Sequence, residues 1–265
     1  MRFPRLIVLF LSMNSIAIVG TGRLAQQLFH LFHHKENTQV TAVLGRSAHA
    51  HASFNSSVYQ TDFHIPLQAQ YVFLAVSDAA VETVSNLILA PEALVCHVSG
   101  SVPLSALSSH QNRGVFYPLQ TFGSEEPMDF KNIPLLVEAN SPENEAKLRS
   151  LAQSISNQVQ VLSSDSRKKL HLAAIMVNNF TNYLMGMAED FCNNHQLDFK
   201  LLQPLMEQTI ENMITKGAAE AQTGPARRGD HSTLQAHIEL LDKDIEKEIY
   251  TTLSKAITQK FAHEL

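Results

Sequence analysis

Between Ser15 and Ala25 the chain reads Ser-Ile-Ala-Ile-Val-Gly-Thr-Gly-Arg-Leu-Ala, a short apolar and β-branched run that stops at Gly20-Thr21-Gly22. Leu24, Leu28, Leu31 and Phe32 then recur at helical spacing as far as His34. Together the two periodicities predict a buried strand, a glycine turn and an amphipathic helix. That order suits a dinucleotide. Gly20 permits the tight turn, Gly22 lets a pyrophosphate approach the backbone, and the helix start offers free N–H groups at the positive end of a dipole. Ala25 completes the pattern Gly-x-Gly-x-x-Ala, which gains weight from having the right element on each side. Gly20, Thr21, Gly22, Arg23, Leu24 and Ala25 are therefore expected to contact a cofactor. The plainer alternative is an ordinary strand-to-helix turn.

Gln39 to Leu44 reads as a second strand, ending in Gly45-Arg46-Ser47. An acidic residue here would accept hydrogen bonds from a ribose 2′-hydroxyl, whereas a cation and a hydroxyl suit a 2′-phosphate. Arg46 is planar and always charged, so Arg46 and Ser47 are expected to select NADP, with a merely solvated arginine as the alternative. Tyr71 to Val76 is a continuous apolar run, as expected of a parallel strand covered on both faces. Ser77-Asp78 then opens a helix to about Leu89, and Leu94 to Val98 gives another strand closed by Ser99-Gly100-Ser101. Ligands of doubly wound sheets lie beyond the carboxyl ends of the strands, which places Ala75, Val76, Ser77, Ser99 and Gly100 beside the cofactor; the serines can equally be helix caps alone. Short strands at Val115–Tyr117, Pro134–Val137 and Gln158–Leu162, with a helix from Ser141-Pro142 to about Asn157, complete an α/β, Rossmann-like, mostly parallel sheet over residues 1–163.

Beyond Ser163 only helical periodicity remains, so residues 164–265 read as an all-α domain for substrate and dimerisation. From Asp165 to about Asn194 the pattern is apolar nearly all round, more than a small domain buries alone, and a homodimer through these helices is expected. His171, Asn178 and Asn182 make a polar line on this rod, and buried polar groups need either an interhelical network or a ligand. A second helix runs from Pro204 to about Ala221, and a third from His231 to about Phe261, with Glu239 and Lys243 paired at i, i+4. Between them Thr223 to Asp230 contains two glycines, a proline and two arginines, a composition able to hold an anion or simply to connect two helices.

With 265 residues, 45% of them hydrophobic, the chain can fill proper cores. A net charge of -5 argues against nucleic acid as a partner, leaving local basic spots such as Arg227-Arg228 and Lys168-Lys169. The two cysteines, Cys96 and Cys192, read as reduced core residues of a cytoplasmic protein. None of the thirteen histidines sits at metal-ligand spacing, so no metal is expected. Arg2, Arg5 and Leu6–Leu11 mimic a secretory signal but lack a cleavage site and a spacer, and Met13 is the expected natural start. No apolar run approaches the ~20 residues of a membrane span.

Gly20-Thr-Gly22-Arg-Leu-Ala25, Gly45-Arg46-Ser47, Leu74-Ala-Val-Ser-Asp78, His97-Val-Ser-Gly-Ser101, Tyr117-Pro-Leu-Gln-Thr-Phe122, Asn178-Asn-Phe180 and Thr223-Gly-Pro-Ala-Arg-Arg-Gly-Asp230 together resemble one bacterial family. Its members pair a Rossmann-like domain with a C-terminal helical domain of unknown function and are labelled NADP oxidoreductases. More distantly the layout is similar to pyrroline-5-carboxylate reductase, the 6-phosphogluconate and β-hydroxyacid dehydrogenases and the deazaflavin-dependent NADP reductases. The resemblance implies a dimer with active sites between cofactor and helical domains. The leading expectation is hydride transfer between NADP(H) and a small, anionic carbonyl or imine, with His171 as general acid, since an imidazole can protonate a developing oxyanion or amine, Asn178 and Gln120 orienting the substrate and Arg228 binding its charge. Where the β-hydroxyacid dehydrogenases carry a lysine four residues before an asparagine, this chain has Ala174 before Asn178. That departure keeps open a non-catalytic NADP-binding dimer, a redox sensor or structural partner.

Overall fold

The computed structural model describes residues 13–46, 54, 57–64, 66–123 and 126–264. Two compact units divide between Met176 and Val177. The first holds one eight-stranded sheet: β1 (Asn14–Val19), β2 (Thr38–Leu44), β3 (Tyr59–Gln60), β4 (Tyr71–Leu74), β5 (Leu94–His97), β6 (Arg113–Pro118), β7 (Leu135–Ala139) and β8 (Val159–Val161), in the order β3-β2-β1-β4-β5-β6-β7-β8. Every neighbouring pair is parallel except β6 with β7. The chain leaves β1 toward β2 and β3, then returns to lay β4 on the other side of β1. Strand order therefore reverses between β1 and β4, the place where doubly wound sheets take their ligands.

Burial on both faces explains the continuous apolar strands. In β1, Ile16 and Ile18 join one core cluster with Leu28, Phe32, Phe73, Phe116 and Leu148, drawing on α1 (Arg23–His34) and α3 (Pro142–Gln153). Ala17 and Val19, on the opposite face at the strand's period of two, join Val72, Leu74, Val81, Val95 and Leu107. Cys96 and Cys192 are buried and free, as expected of reduced core residues.

Four elements differ from their periodicity, the helix expected from Pro204 to about Ala221 being broken at Gly217, where φ is +84°. The helix after β4 is a 3₁₀ turn, Asp78–Ala80, followed by the short α2 (Val81–Ser85), so it stops before Leu89. The run from Ser164 comprises α4 (Ser164–Ile175), a π-helical turn (Met176–Phe180) and α5 (Thr181–Asn194), which interrupts the α-helical spacing that aligned His171 with Asn178 and Asn182. The last helix is two, α8 (His231–Leu240) and α9 (Asp244–Lys260), because Leu241 is extended. Lys243 consequently leaves Glu239 and pairs with Glu246 at 2.9 Å.

In the second unit α6 (Gln203–Lys216), α7 (Ala218–Ala221) and α8 contain no buried residue. Leu205, Ile210, Met213 and Ile214 are all exposed on α6. On the run from Asp165 to Asn194, whose apolar faces the sequence predicts to be covered, Leu172, Met176, Val177, Phe180 and Tyr183 are also exposed in the single protomer.

Candidate functional site

At the carboxyl end of β1, Gly20 has φ of +126°, and a Cβ there would lie 2.1 Å from the Ala75 carbonyl oxygen. Only glycine fits so close to the turn after β4. Gly22 is the extended N-cap of α1; no side chain caps this end, and a Cβ on Gly22 would meet nothing within 4 Å. No acidic residue occupies the first turn of α1, so the amides at Arg23 and Leu24 keep their capacity for an anion. Arg23 is exposed, Leu24 packs against the core and Ala25 is fully buried, so Ala25 acts by letting helix and sheet close up. This open glycine corner fits a dinucleotide pyrophosphate.

Arg46 follows β2 and is exposed, while Ser47 lies outside the described residues. A glycine at position 45 has no side chain of its own to crowd an adenosine ribose beside Arg46. The space a side chain would fill is taken: a Cβ at Gly45 would sit 2.3 Å from the Tyr59 hydroxyl and 2.4 Å from the Thr21 methyl. Tyr59 belongs to the two-residue β3, too short for periodicity to reveal.

Beyond β4, the Ala75 amide bonds the Val19 carbonyl at 2.8 Å, Val76 is half-buried, and Ser77 caps the 3₁₀ turn by its extended backbone, without a side-chain bond. Ser99 is buried, and its hydroxyl accepts the Ser101 and Val102 amides, each at 3.1 Å. Ser99 is therefore committed to shaping the turn that carries Gly100. The Ser101 hydroxyl donates in turn to the Asp78 carboxylate.

This turn receives His171. A Cβ on Gly100 would meet His171 Nδ1 at 2.5 Å and Tyr117 Cζ at 2.9 Å, so the missing side chain is what admits both rings. Tyr117 Oη lies 3.0 Å from His171 Nδ1, with the rings edge to face. Burial pushes the Tyr117 phenol up, the Asp78 charge adds to this, and the Arg167 cation opposes it. Nearby, His97 is fully buried, its Nδ1 accepting the Ser99 amide at 3.2 Å. Burial first, then Arg167, lowers its pKa to about 4 and keeps the imidazole neutral.

Arg167 anchors the helix that carries His171. It is 1% exposed and holds Glu138 Oε2 at 2.5 Å and the Val102 carbonyl at 2.6 Å. Gln120 is exposed and accepts the Thr121 amide at 2.8 Å.

In the helical unit Asn178 is exposed, its Nδ2 3.4 Å from Asn179 Oδ1. Arg227 is turned inward, donating to the Gln222 carbonyl and lying over the Phe261 ring at 4.7 Å. Arg228 beside it is exposed. Asp230 caps α8, and hydrogen bonds from the Thr233 hydroxyl and amide hold its carboxyl at about 2.

Of the expected residues the structure brings together the glycine turn with Ala75, and Gly100 with His171. Tyr117, Arg167, Glu138, His97 and Asp78 were missed as site residues. Of these, Tyr117, Asp78 and His97 carried a signal, as letters of the quoted motifs. Among the described residues no group of three or more His, Cys, Asp or Glu can hold a metal, and no helix is long and apolar enough to cross a membrane.

A domain of unknown function, DUF2520, matches residues 133–257. A Bacteroides fragilis protein provisionally named an NADP oxidoreductase is 30% identical, with 94% of this chain and 99% of that one covered and a TM-score of 0.84. A Thermotoga maritima protein is 22% identical, with coverage of 94% and 99% and a TM-score of 0.69. An imine reductase from Myxococcus stipitatus, solved in complex with NADP+, is 13% identical, with coverage of 94% and 93% and a TM-score of 0.61. The last two show the fold alone. No curated protein matches the chain. Sharing 30% identity with the Bacteroides protein over almost all of both chains, and carrying DUF2520, the chain belongs to the family of Rossmann-like proteins with this C-terminal domain of unknown function.

Proposed function

We propose that the protein is an NADP-dependent oxidoreductase acting on a small, anionic carbonyl or imine. The observation that carries this reading is the His171 imidazole seated on Gly100 beyond β5, on the same carboxyl edge of the sheet as the open glycine corner of β1. The names of the Bacteroides and Myxococcus proteins support the cofactor. When bound, NADPH supplies the hydride. The chain's own part is to hold the pyrophosphate at Gly22 to Leu24, read the 2′-phosphate with Arg46, and hold a proton on His171 for the oxygen or nitrogen that gains charge. Gln120 is the proposed orienting group of the sheet unit. Asn178 and Arg228, exposed on the helical unit, are the proposed polar and cationic ligands of the substrate.

Loss of NADPH absorbance across a panel of oxo and imino acids tests the reading. Tight NADPH binding with no turnover of any of them would favour the sensor instead. Cofactor choice has its own test. Charged hydrogen bonds are worth roughly 1.5 to 3 kcal/mol, so Arg46→Ala is expected to weaken NADPH by about one to two orders of magnitude and leave NADH nearly unchanged. Titrating both cofactors into wild type and variant checks this, and equal weakening of both would sink the NADP assignment.

The exposed Ile210, Met213 and Ile214, which share one side of α6, support a homodimer through the helical unit, since these large apolar side chains lack cover in one protomer. Sedimentation equilibrium is expected to give twice the protomer mass, and Ile210→Lys with Ile214→Lys to shift it toward one. A monomeric wild type would refute it.

A further inference from the structure

Tyr117 sits on β6 with 9% of its surface exposed, and among the described residues its hydroxyl has one hydrogen-bond partner, His171 Nδ1 at 3.0 Å. A phenol can donate or accept, and so can a neutral imidazole nitrogen, so distance alone leaves the proton unplaced. The surroundings place it. Burial raises the phenol above its ordinary value of 10.0, so the group keeps its proton at any working pH. A buried O–H needs an acceptor, and Nδ1 is the one within reach. With Nδ1 accepting, a neutral ring must carry its hydrogen on Nε2.

We infer that Tyr117 is the positioning residue of His171: in the neutral ring its hydroxyl donates to Nδ1 and fixes the hydrogen on Nε2, and in the imidazolium, the form that can give up a proton as general acid, Nδ1–H donates to the phenol oxygen and Nε2–H is left for the substrate. The role in catalysis rests on the oxidoreductase reading above, whereas the tautomer itself does not. Gly100 is part of the same device, since any side chain there would occupy the space in which the two rings meet. Asp78 and Arg167 are the charged groups that act on the phenol, and their effects on it are opposed. The hydroxyl therefore orients the ring without itself becoming an anion.

The experiment uses the full chain with isotope-labelled histidine, in mildly alkaline solution. Long-range proton–nitrogen correlation spectra report which ring nitrogen carries hydrogen, and the His171 signal is assigned by its loss in His171→Ala. Wild type is expected to show hydrogen on Nε2, and Tyr117→Phe, which keeps the ring but not the hydroxyl, a mixture of the two forms. In turnover Tyr117→Phe is expected to lower kcat by about tenfold with KM and NADPH affinity held. Hydrogen on Nδ1 in wild type, or an unchanged His171 signal in Tyr117→Phe, overturns the inference. Should Tyr117→Phe fail to fold, the wild-type spectrum still decides. A protein that binds NADPH without turning it over refutes the oxidoreductase reading and with it the catalytic part of Tyr117.

Discussion

Replacing His171 by alanine is expected to lower kcat by about 10²- to 10⁴-fold, the usual contribution of a positioned general acid. At roughly 1.4 kcal/mol per tenfold, that is about 3 to 5 kcal/mol of transition-state stabilisation. NADPH affinity should be unchanged, because the glycine corner and Arg46 owe nothing to the imidazole. The loss should appear equally in kcat and kcat/KM, the pattern of an interaction made only in the transition state. The ring is half-buried against Gly100 and Tyr117, so its removal opens a gap at the turn rather than in a core. Stopped-flow measurement of NADPH oxidation, beside calorimetric titration of NADPH, separates the two effects. Turnover in His171→Ala at the wild-type rate would remove His171 from the mechanism and leave Tyr117 with a packing role alone.

His171 could be singled out from the chain because an imidazole stands out on an apolar rod, but its partners could not. Tyr117 lies 54 positions earlier, in a strand whose apolar letters predict burial and nothing about which hydroxyl meets which ring. The glycine corner was the opposite case. Gly20, Gly22 and Ala25 are contiguous, and the strand and helix beside them write their own periods, so local letters sufficed. Gly45 shows the limit of that method. Its missing side chain was legible, but what fills the space is the Tyr59 hydroxyl, delivered by a strand of two residues. The break in the last helix was hidden for a related reason. Leu234, Ile238, Leu241 and Ile245 keep an apolar spacing straight through Leu241, although its backbone is extended. Arg167 adjoins the basic pair Lys168-Lys169 in the chain, yet Arg167 is buried and the two lysines are exposed. Nothing in the letters distinguishes the three, because what selects Arg167 is a carboxylate from β7 and a carbonyl from the turn after β5.

That arginine carries the second large effect. Arg167→Met keeps most of the buried volume but removes every hydrogen bond of the guanidinium, leaving Glu138 without its cation and the Val102 carbonyl without its donor. Breaking a buried pair by taking one partner away costs about 3 to 5 kcal/mol, because the remaining charge stays poorly solvated. For a unit of this size each kcal/mol shifts Tm by about 2 to 4 °C, so the sheet unit is expected to melt roughly 6 to 20 °C lower. Ser164 softens the loss only in part, since its hydroxyl already donates to Glu138 at 2.7 Å and cannot supply charge. Arg167→Lys should fall between, because an ammonium restores the charge but cannot reach Glu138 and Val102 as a rigid fork does. The substitution should also be felt in catalysis. Val102 belongs to the turn that the Ser99 hydroxyl shapes around Gly100, and Arg167 ties that turn to the helix bearing His171 one turn later. Below its lowered Tm, Arg167→Met is therefore expected to bind NADPH normally but turn over more slowly. Differential scanning calorimetry beside steady-state kinetics tests both halves. A melting point within about 3 °C of wild type would show that Glu138 finds solvent or another donor, and that the buried pair does not hold the turn against the helix.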